Sequence, residues 1–130
     1  LPTLLERASG GLVIMAGVAG YVGLPGAPVY GPAKAALINL AELLYSDLHP
    51  RGLGVYLVNP GFVQTRLTER NDFPMPALQT PAQAADAILR GMARGGFEIS
   101  FPRRFTELVR LLHWLPYRWR FALLARTIKP

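Results

Sequence analysis

The 130-residue chain contains no cysteine and only two histidines. Without cysteine it has neither a disulfide framework nor a thiolate metal site, which suits a reducing compartment such as the cytoplasm. No apolar run reaches the roughly 18 residues that a membrane span needs, and no secretory signal is visible. His49 and His113 each stand apart from any cluster of acidic residues, so we expect no metal site and read both as surface or helix-capping residues.

Acidic residues are nearly absent from the last thirty positions. Residues 101–130 contain seven basic residues and a single acid, Glu107, and this imbalance accounts for the whole net charge of +6. Both tryptophans, Trp114 and Trp119, also lie here, in two amphipathic helical stretches divided at Pro116. We expect this tail to pack on the sheet or on a second subunit, or to lie on an anionic membrane surface. It is too apolar for a nucleic-acid arm, so we expect no nucleic-acid partner.

Short apolar runs alternate with helical patterns before the tail. Leu12–Ala16 and Val55–Val58 are continuous apolar runs, as in strands buried on both faces of a parallel sheet. Phe97–Phe101 alternates, as a strand with one solvated face does. Helices are predicted between these strands, over Pro32–Leu48 and after the helix-start signals at Thr80. The order strand, helix, strand, helix, strand predicts an α/β fold with a parallel sheet.

A tyrosine and a lysine, Tyr30 and Lys34, are four residues apart at the start of the first of these helices. Residues at this spacing share a helix face, and a nearby positive charge favours the phenolate form of a tyrosine. Such a phenol is a usable general acid/base for an alcohol or a carbonyl group. By itself the pair also fits an ordinary helix tyrosine beside a solvated lysine. The turn Asn59-Pro60-Gly61 favours the catalytic interpretation, since ligand sites of α/β sheets lie beyond strand ends.

With these motifs the chain resembles the C-terminal half of the short-chain dehydrogenase/reductase family, from about Leu4 to about Phe101. The matching segments are Val18-Ala19-Gly20, Gly23-Leu24-Pro25-Gly26, Tyr30, Lys34-Ala35-Ala36-Leu37, Val55 to Gly61 and Val63-Gln64-Thr65. The resemblance implies half of a Rossmann-like, doubly wound parallel sheet with about three strands. It divides the chain into a partial dehydrogenase domain, residues 1–101, and a basic helical tail, residues 102–130.

The resemblance also implies an NAD(P)-dependent oxidoreductase that acts on a small alcohol/carbonyl pair. Tyr30 would donate and accept the proton at the substrate oxygen, and Lys34 would hold the nicotinamide ribose. Phe62 and the segment from Arg66 to Leu78 would form a lid over the substrate. The residues implied to contact NAD or NADP are Tyr30, Lys34, Pro60, Gly61, Val63 and Thr65.

Two departures from the family pattern support an alternative to a complete, active enzyme. The position thirteen residues before Tyr30, usually a serine that hydrogen-bonds the reacting oxygen, is Gly17. The glycine-rich loop that binds the pyrophosphate, and the asparagine of an earlier helix, are absent from these 130 residues. The chain is therefore expected to be part of an enzyme, with impaired or no activity alone. The alternative is a non-catalytic α/β module whose tail binds a membrane surface or a partner chain.

Overall fold

Three parallel strands form one sheet in the order β1-β2-β3 in the computed structural model, which describes residues 1–63 and 78–127. The strands are β1 (Gly11–Met15), β2 (Gly54–Pro60) and β3 (Glu98–Phe101), with Met15 opposite Val58 and Pro60 opposite Phe101. The helices are α1 (Pro2–Arg7), α2 (Tyr30–Leu48), α3 (Pro81–Arg94), α4 (Arg103–Leu112) and α5 (Tyr117–Thr127), with 3₁₀ turns at Val18–Gly20 and His49–Arg51. The predicted α/β fold with a parallel sheet is confirmed.

Helices cover both faces of the central strand. Along β2, Val55 and Leu57 pack against α2, whereas Val58 packs against α3. Alternate residues of a strand point to opposite faces of the sheet, so α2 and α3 lie on opposite sides. β2 is buried along most of its length, as its continuous apolar run predicted. This three-layer arrangement confirms the doubly wound architecture.

The capping signals at Thr80 are realised in the structure. Its Oγ1 accepts a hydrogen bond from the Gln83 N–H at 3.2 Å, and Gln83 Oε1 accepts one from the Thr80 N–H at 3.0 Å. This reciprocal pair satisfies two N–H groups that the first turn of a helix leaves free. α3 then ends at Gly95, whose φ of 77° is the left-handed conformation that favours glycine at a helix end.

One face of β1 differs from the prediction. The apolar run Leu12–Ala16 predicted burial on both faces, but Val13 and Met15 are 40% and 48% exposed. The opposite face is covered, since Ile14 packs into the α2 cluster around Ala41. The physical reason is that the described helices that pack on β1 lie on the face of Leu12 and Ile14, so the alternate side chains Val13 and Met15 have no helix over them among the described residues.

The tail helices pack unequally on the rest of the fold. α4 contacts the loop after β1, where Val109 lies in one cluster with Val18 and Val22. α5 is held by Arg120, whose Nε donates to the Leu112 carbonyl oxygen at 2.8 Å and whose Nη2 reaches the carbonyls of residues 113 and 115. The last carbonyls of a helix lack partners within it, so this guanidinium completes the end of α4. In the described part of the chain, no helix is long and apolar enough to cross a bilayer.

Candidate active site

The carboxyl ends of the strands meet at one edge of the sheet. The Ala16 N–H donates to the Val58 carbonyl oxygen at 2.8 Å, which keeps β1 and β2 paired up to the point where Gly17 leaves the sheet. On the other side of β2, the Gly61 N–H donates to the Phe101 carbonyl oxygen at 2.9 Å. Open α/β sheets bind their ligands at this edge.

Tyr30 and Lys34 lie side by side in the first turns of α2. The Lys34 Nζ is 5.2 Å from the centroid of the Tyr30 ring. The Tyr30 side chain is not enclosed by the described part of the chain, since the residue is 52% exposed. A positioned phenol can act as a general acid/base, so this contact is compatible with the predicted roles of the pair, which stay predictions.

Glycine sets the distance between α2 and the loop that follows β1. A Cβ on Gly20 would lie 2.7 Å from the Lys34 carbonyl carbon and 2.8 Å from the Ala35 nitrogen. These are backbone atoms of a helix and cannot move aside, so residue 20 must be glycine for the loop to pack this closely. The contact fixes the first turns of α2 beside the strand ends.

Position 17 faces the candidate site, although glycine provides no side chain there. A Cβ on Gly17 would lie 3.9 Å from Lys34 Cδ and 3.8 Å from the Pro60 carbonyl oxygen, with nothing closer. The Gly17 N–H is bonded to Asn59 Oδ1 at 3.1 Å. This position therefore presents no hydrogen-bond donor to a substrate oxygen, but it has room for a serine.

The other predicted site residues are distributed along the edge and beyond it. Pro60 ends β2, and Gly61 lies against the tail, because its Cβ would be 3.0 Å from Phe105 Cδ1. Val63 packs on the α3 side of the sheet, beside Val58. Thr65 and residues 66–77 of the predicted lid lie outside the described residues, so their roles stay predictions. Phe62, also assigned to the lid, has its ring centroid 5.8 Å from that of Phe105 in α4.

Sequence analysis did not identify a polar network beside these strand ends. It consists of Tyr21, Asn59, Glu98 and Arg110, which come from four separate segments. Asn59 is 0% exposed. One hint of this network is visible in the sequence: Asn59 is a polar residue at the end of an apolar strand. From the sequence alone, Asn59 is interpreted only as part of the turn motif Asn59-Pro60-Gly61.

Neither histidine contributes to a metal site within the described residues. The His49 ring stacks on Tyr45 with centroids 4.5 Å apart, and His113 follows the last residue of α4. Across residues 1–63 and 78–127, no group of three or more histidine and acidic side chains could hold a metal ion.

A sequence model of the family described as short chain dehydrogenase matches residues 1–74, which is more than half of the chain. The chain therefore belongs to the short-chain dehydrogenase/reductase family. It is 39% identical to an uncharacterised oxidoreductase of Myxococcus xanthus over 116 residues, which covers 89% of this chain and 46% of that protein. It is 32% identical over 118 residues to 11-beta-hydroxysteroid dehydrogenase-like 4A of Arabidopsis thaliana, covering 85% of this chain and 38% of the relative. The chain thus spans half or less of these relatives' length.

Solved structures show the same fold. A short chain dehydrogenase from Burkholderia cenocepacia in complex with NADP superposes with a TM-score of 0.79 at 24% identity, over 98% of this chain and 52% of that one. A short-chain dehydrogenase from Sphingobium yanoikuyae in complex with NADPH gives a TM-score of 0.72 at 24% identity, over 96% and 46% of the two chains. At this identity the likeness establishes the Rossmann-like fold and no finer property.

Proposed function

We propose that this chain provides the catalytic half of an NAD(P)-dependent oxidoreductase that acts on a small alcohol/carbonyl pair. The observation that supports it best is the convergence of Tyr30, Lys34 and position 17 at the strand ends. Lys34 contacts the Tyr30 ring, and the space above Gly17 opens onto Lys34 and Pro60. One wall of a site is thus assembled around an exposed phenol.

These residues fit the nicotinamide end of the cofactor. The Tyr30 hydroxyl would donate its proton to the carbonyl oxygen during reduction and accept one during oxidation, while the bound nicotinamide supplies or accepts the hydride. Lys34 would bind the adjoining ribose hydroxyls, with Pro60, Gly61, Val63 and Thr65 around the ring. The pyrophosphate end has no counterpart in these 130 residues, since no glycine-rich loop opens a helix.

Because residue 17 is a glycine, a hydrogen-bond donor to the substrate oxygen is missing, and we expect catalysis to be slow. The Gly17 N–H is bonded to Asn59, so neither backbone nor side chain of this residue can stabilise negative charge on the substrate oxygen. Removing one preorganised donor of this kind costs roughly 100- to 1000-fold in rate. We therefore expect a chain that holds the proton-transfer pair but is impaired as a catalyst by itself.

Calorimetric titration of the chain with NAD⁺, NADH, NADP⁺ and NADPH tests the cofactor half of this proposal. We expect no micromolar binding of any of the four, because only the nicotinamide end can be held. Reduced nicotinamide mononucleotide lacks the adenosine half, so it should bind as well as NADH does and should perturb the NMR signals of Tyr30. NADH binding far more tightly than the mononucleotide would show that the chain also binds the adenosine half.

A chimera tests the reaction itself. This chain would replace the matching segment of the Myxococcus xanthus relative, and cofactor-dependent turnover would be measured over a panel of alcohols and ketones. We expect Tyr30→Phe to abolish turnover, because the proton donor is lost, and Lys34→Ala to weaken cofactor binding as well. A Tyr30→Phe chimera as active as its parent would exclude the proposed role.

A second function is favoured by the surface of the tail. Large apolar side chains at six positions between 108 and 121 are 57–78% exposed: Leu108, Leu111, Trp114, Tyr117, Trp119 and Phe121. Arg104 and Arg118 make no ion pair among the described residues. We infer that this tail surface docks on an anionic membrane from the cytoplasmic side, since aromatic and leucine side chains enter the interface while arginine binds lipid phosphates.

Tryptophan fluorescence tests the docking directly, because both tryptophans of the chain, Trp114 and Trp119, lie in the tail. We expect a blue shift with phosphatidylglycerol vesicles and none with phosphatidylcholine vesicles. Arg104→Glu with Arg118→Glu should weaken binding at least tenfold per site. The control Arg51→Glu with Arg94→Glu makes the same charge change outside the tail. If the control weakens binding equally, the attraction depends on net charge rather than on the tail surface.

The same fluorescence distinguishes a membrane from a second copy of the chain. A blue shift that rises with protein concentration without vesicles would indicate that a second copy, rather than a membrane, covers the tail surface.

A further inference from the structure

Asn59 joins the end of β2 to the loop that carries position 17. Its carboxamide is buried, with Oδ1 accepting from the Gly17 N–H at 3.1 Å and Nδ2 donating to Glu98 Oε2 at 2.7 Å. The opposite orientation of the carboxamide is excluded, because a backbone N–H needs an acceptor and a carboxylate needs a donor. Both polar ends of Asn59 are therefore committed, and its neighbours fix its orientation.

Glu98 connects this asparagine to the tail. Its side chain is 22% exposed and accepts hydrogen bonds from Asn59, from Arg110 of α4, and from the Tyr21 hydroxyl at 2.7 Å. Arg110 also donates to the Tyr21 hydroxyl at 3.2 Å, with its guanidinium 5.0 Å from the centre of the Tyr21 ring. A partly buried carboxylate needs such a counter-charge. The loop, two strands and a tail helix thus share one network.

We propose that Asn59 is a positioning residue for position 17, and that Glu98 and Arg110 hold Asn59 in place from the tail. The bond to Asn59 directs the Gly17 N–H toward β2, which leaves the side-chain direction of residue 17 facing Lys34. The catalytic meaning of that direction rests on the proposed function, whereas the network itself does not. α4 is then part of the support of the candidate site.

Amide hydrogen exchange of the full ¹⁵N-labelled chain, followed by NMR, measures this link. In Asn59→Ala, the protection of the Gly17 amide should fall about 10- to 100-fold, as expected when a buried hydrogen bond is lost. The neighbouring Ala16 amide is the internal control, since it bonds to the Val58 carbonyl oxygen rather than to a side chain. A general loss of stability would lower the protection of both amides equally, and that result would overturn the proposal.

A polarity exchange provides the rescue test. Asn59→Asp keeps the acceptor for Gly17 but opposes one carboxylate with another at Glu98, so protection at Gly17 should fall. Adding Glu98→Gln supplies an amide that donates to the new carboxylate. This restores the link between residues 59 and 98 with donor and acceptor exchanged, while residue 59 still accepts from the Gly17 N–H. We expect the double variant to recover most of the protection that Asn59→Asp loses. No recovery would count against the network.

The contribution of the tail is tested with a matched pair of arginines on α4. Arg110→Gln should lower the protection of the Gly17 amide severalfold, whereas Arg103→Gln should not, because among the described residues Arg103 forms its ion pair with the exposed Glu107 and not with Glu98. This milder pair decides the question if Asn59→Ala does not fold. Equal effects of the two variants would refute the coupling. The two proposals can fail separately. If the chain does not bind the mononucleotide, but the variants lower protection at the Gly17 amide and not at the Ala16 amide, the proposed function is rejected and the positioning role of Asn59 is retained.

Discussion

Replacing Gly17 by serine tests the candidate site most directly. The nearest atom to the new Cβ would be the Pro60 carbonyl oxygen, at 3.8 Å. The backbone at this position, φ 163° and ψ 160°, is extended and open to any residue. Loss of a glycine also restricts the unfolded chain. We therefore expect the free energy of unfolding to stay unchanged or to rise by up to about 1 kcal/mol.

Gly20→Ser is the matched control three residues away. Its Cβ would lie 2.7 Å from a backbone atom of α2 at Lys34, so the loop or the helix must shift. Overpacking of this kind costs about 1–3 kcal/mol. In urea titrations, the free energy of unfolding of Gly17→Ser should therefore exceed that of Gly20→Ser by about 1–3 kcal/mol or more. Equal stabilities would refute the packing described for this loop.

The catalytic consequence depends on a complete cofactor site. In the chain alone, Gly17→Ser should produce no turnover, because the cofactor is still held only at its nicotinamide end. In the chimera with the Myxococcus xanthus relative, the restored donor should raise kcat by about 10- to 1000-fold. The gain should disappear when Tyr30→Phe is added. A chimera that binds the cofactor but gains nothing would show that the missing donor does not belong at position 17.

Three further variants or measurements follow from the structure. Arg120→Gln should lower the free energy of unfolding by about 1–3 kcal/mol and speed proteolysis of α5, because the carbonyls of residues 112, 113 and 115 lose their donor. Arg118→Gln is the control, and equal proteolysis of the two variants would contradict the role of Arg120 in holding α5. Thr80→Ala should lower the free energy of unfolding by about 0.5–2 kcal/mol in a urea titration, because the N-cap bond of α3 is lost; an unchanged midpoint would argue against the cap. Sedimentation velocity should show dimers or larger species, because β1 leaves Val13 and Met15 exposed at a sheet edge; a pure monomer would contradict this expectation.

Much of the site could be predicted from local patterns. The spacing of Tyr30 and Lys34 places both on one helix face in any α-helix that contains them, and the structure brings their side chains together. The turn after the second apolar run marked the ligand edge of the sheet in the same way, since strands of a parallel sheet share that edge. The prediction that residue 17 occupies the family's serine position came from the resemblance, by counting thirteen residues back from Tyr30, and it stays a prediction.

The sequence by itself determined the α/β alternation, the start of α3 at its Thr80 cap and the family, because each depends on patterns within short stretches of chain. Only the tertiary structure decided which face of β1 is covered and where α4 packs. It also joined Asn59 to Glu98, 39 positions further along the chain, and through Glu98 to Arg110, 51 positions further along. No backbone periodicity encodes such a pairing. It arises when a buried polar group, cut off from water, takes its partners from whichever segments the fold brings within reach.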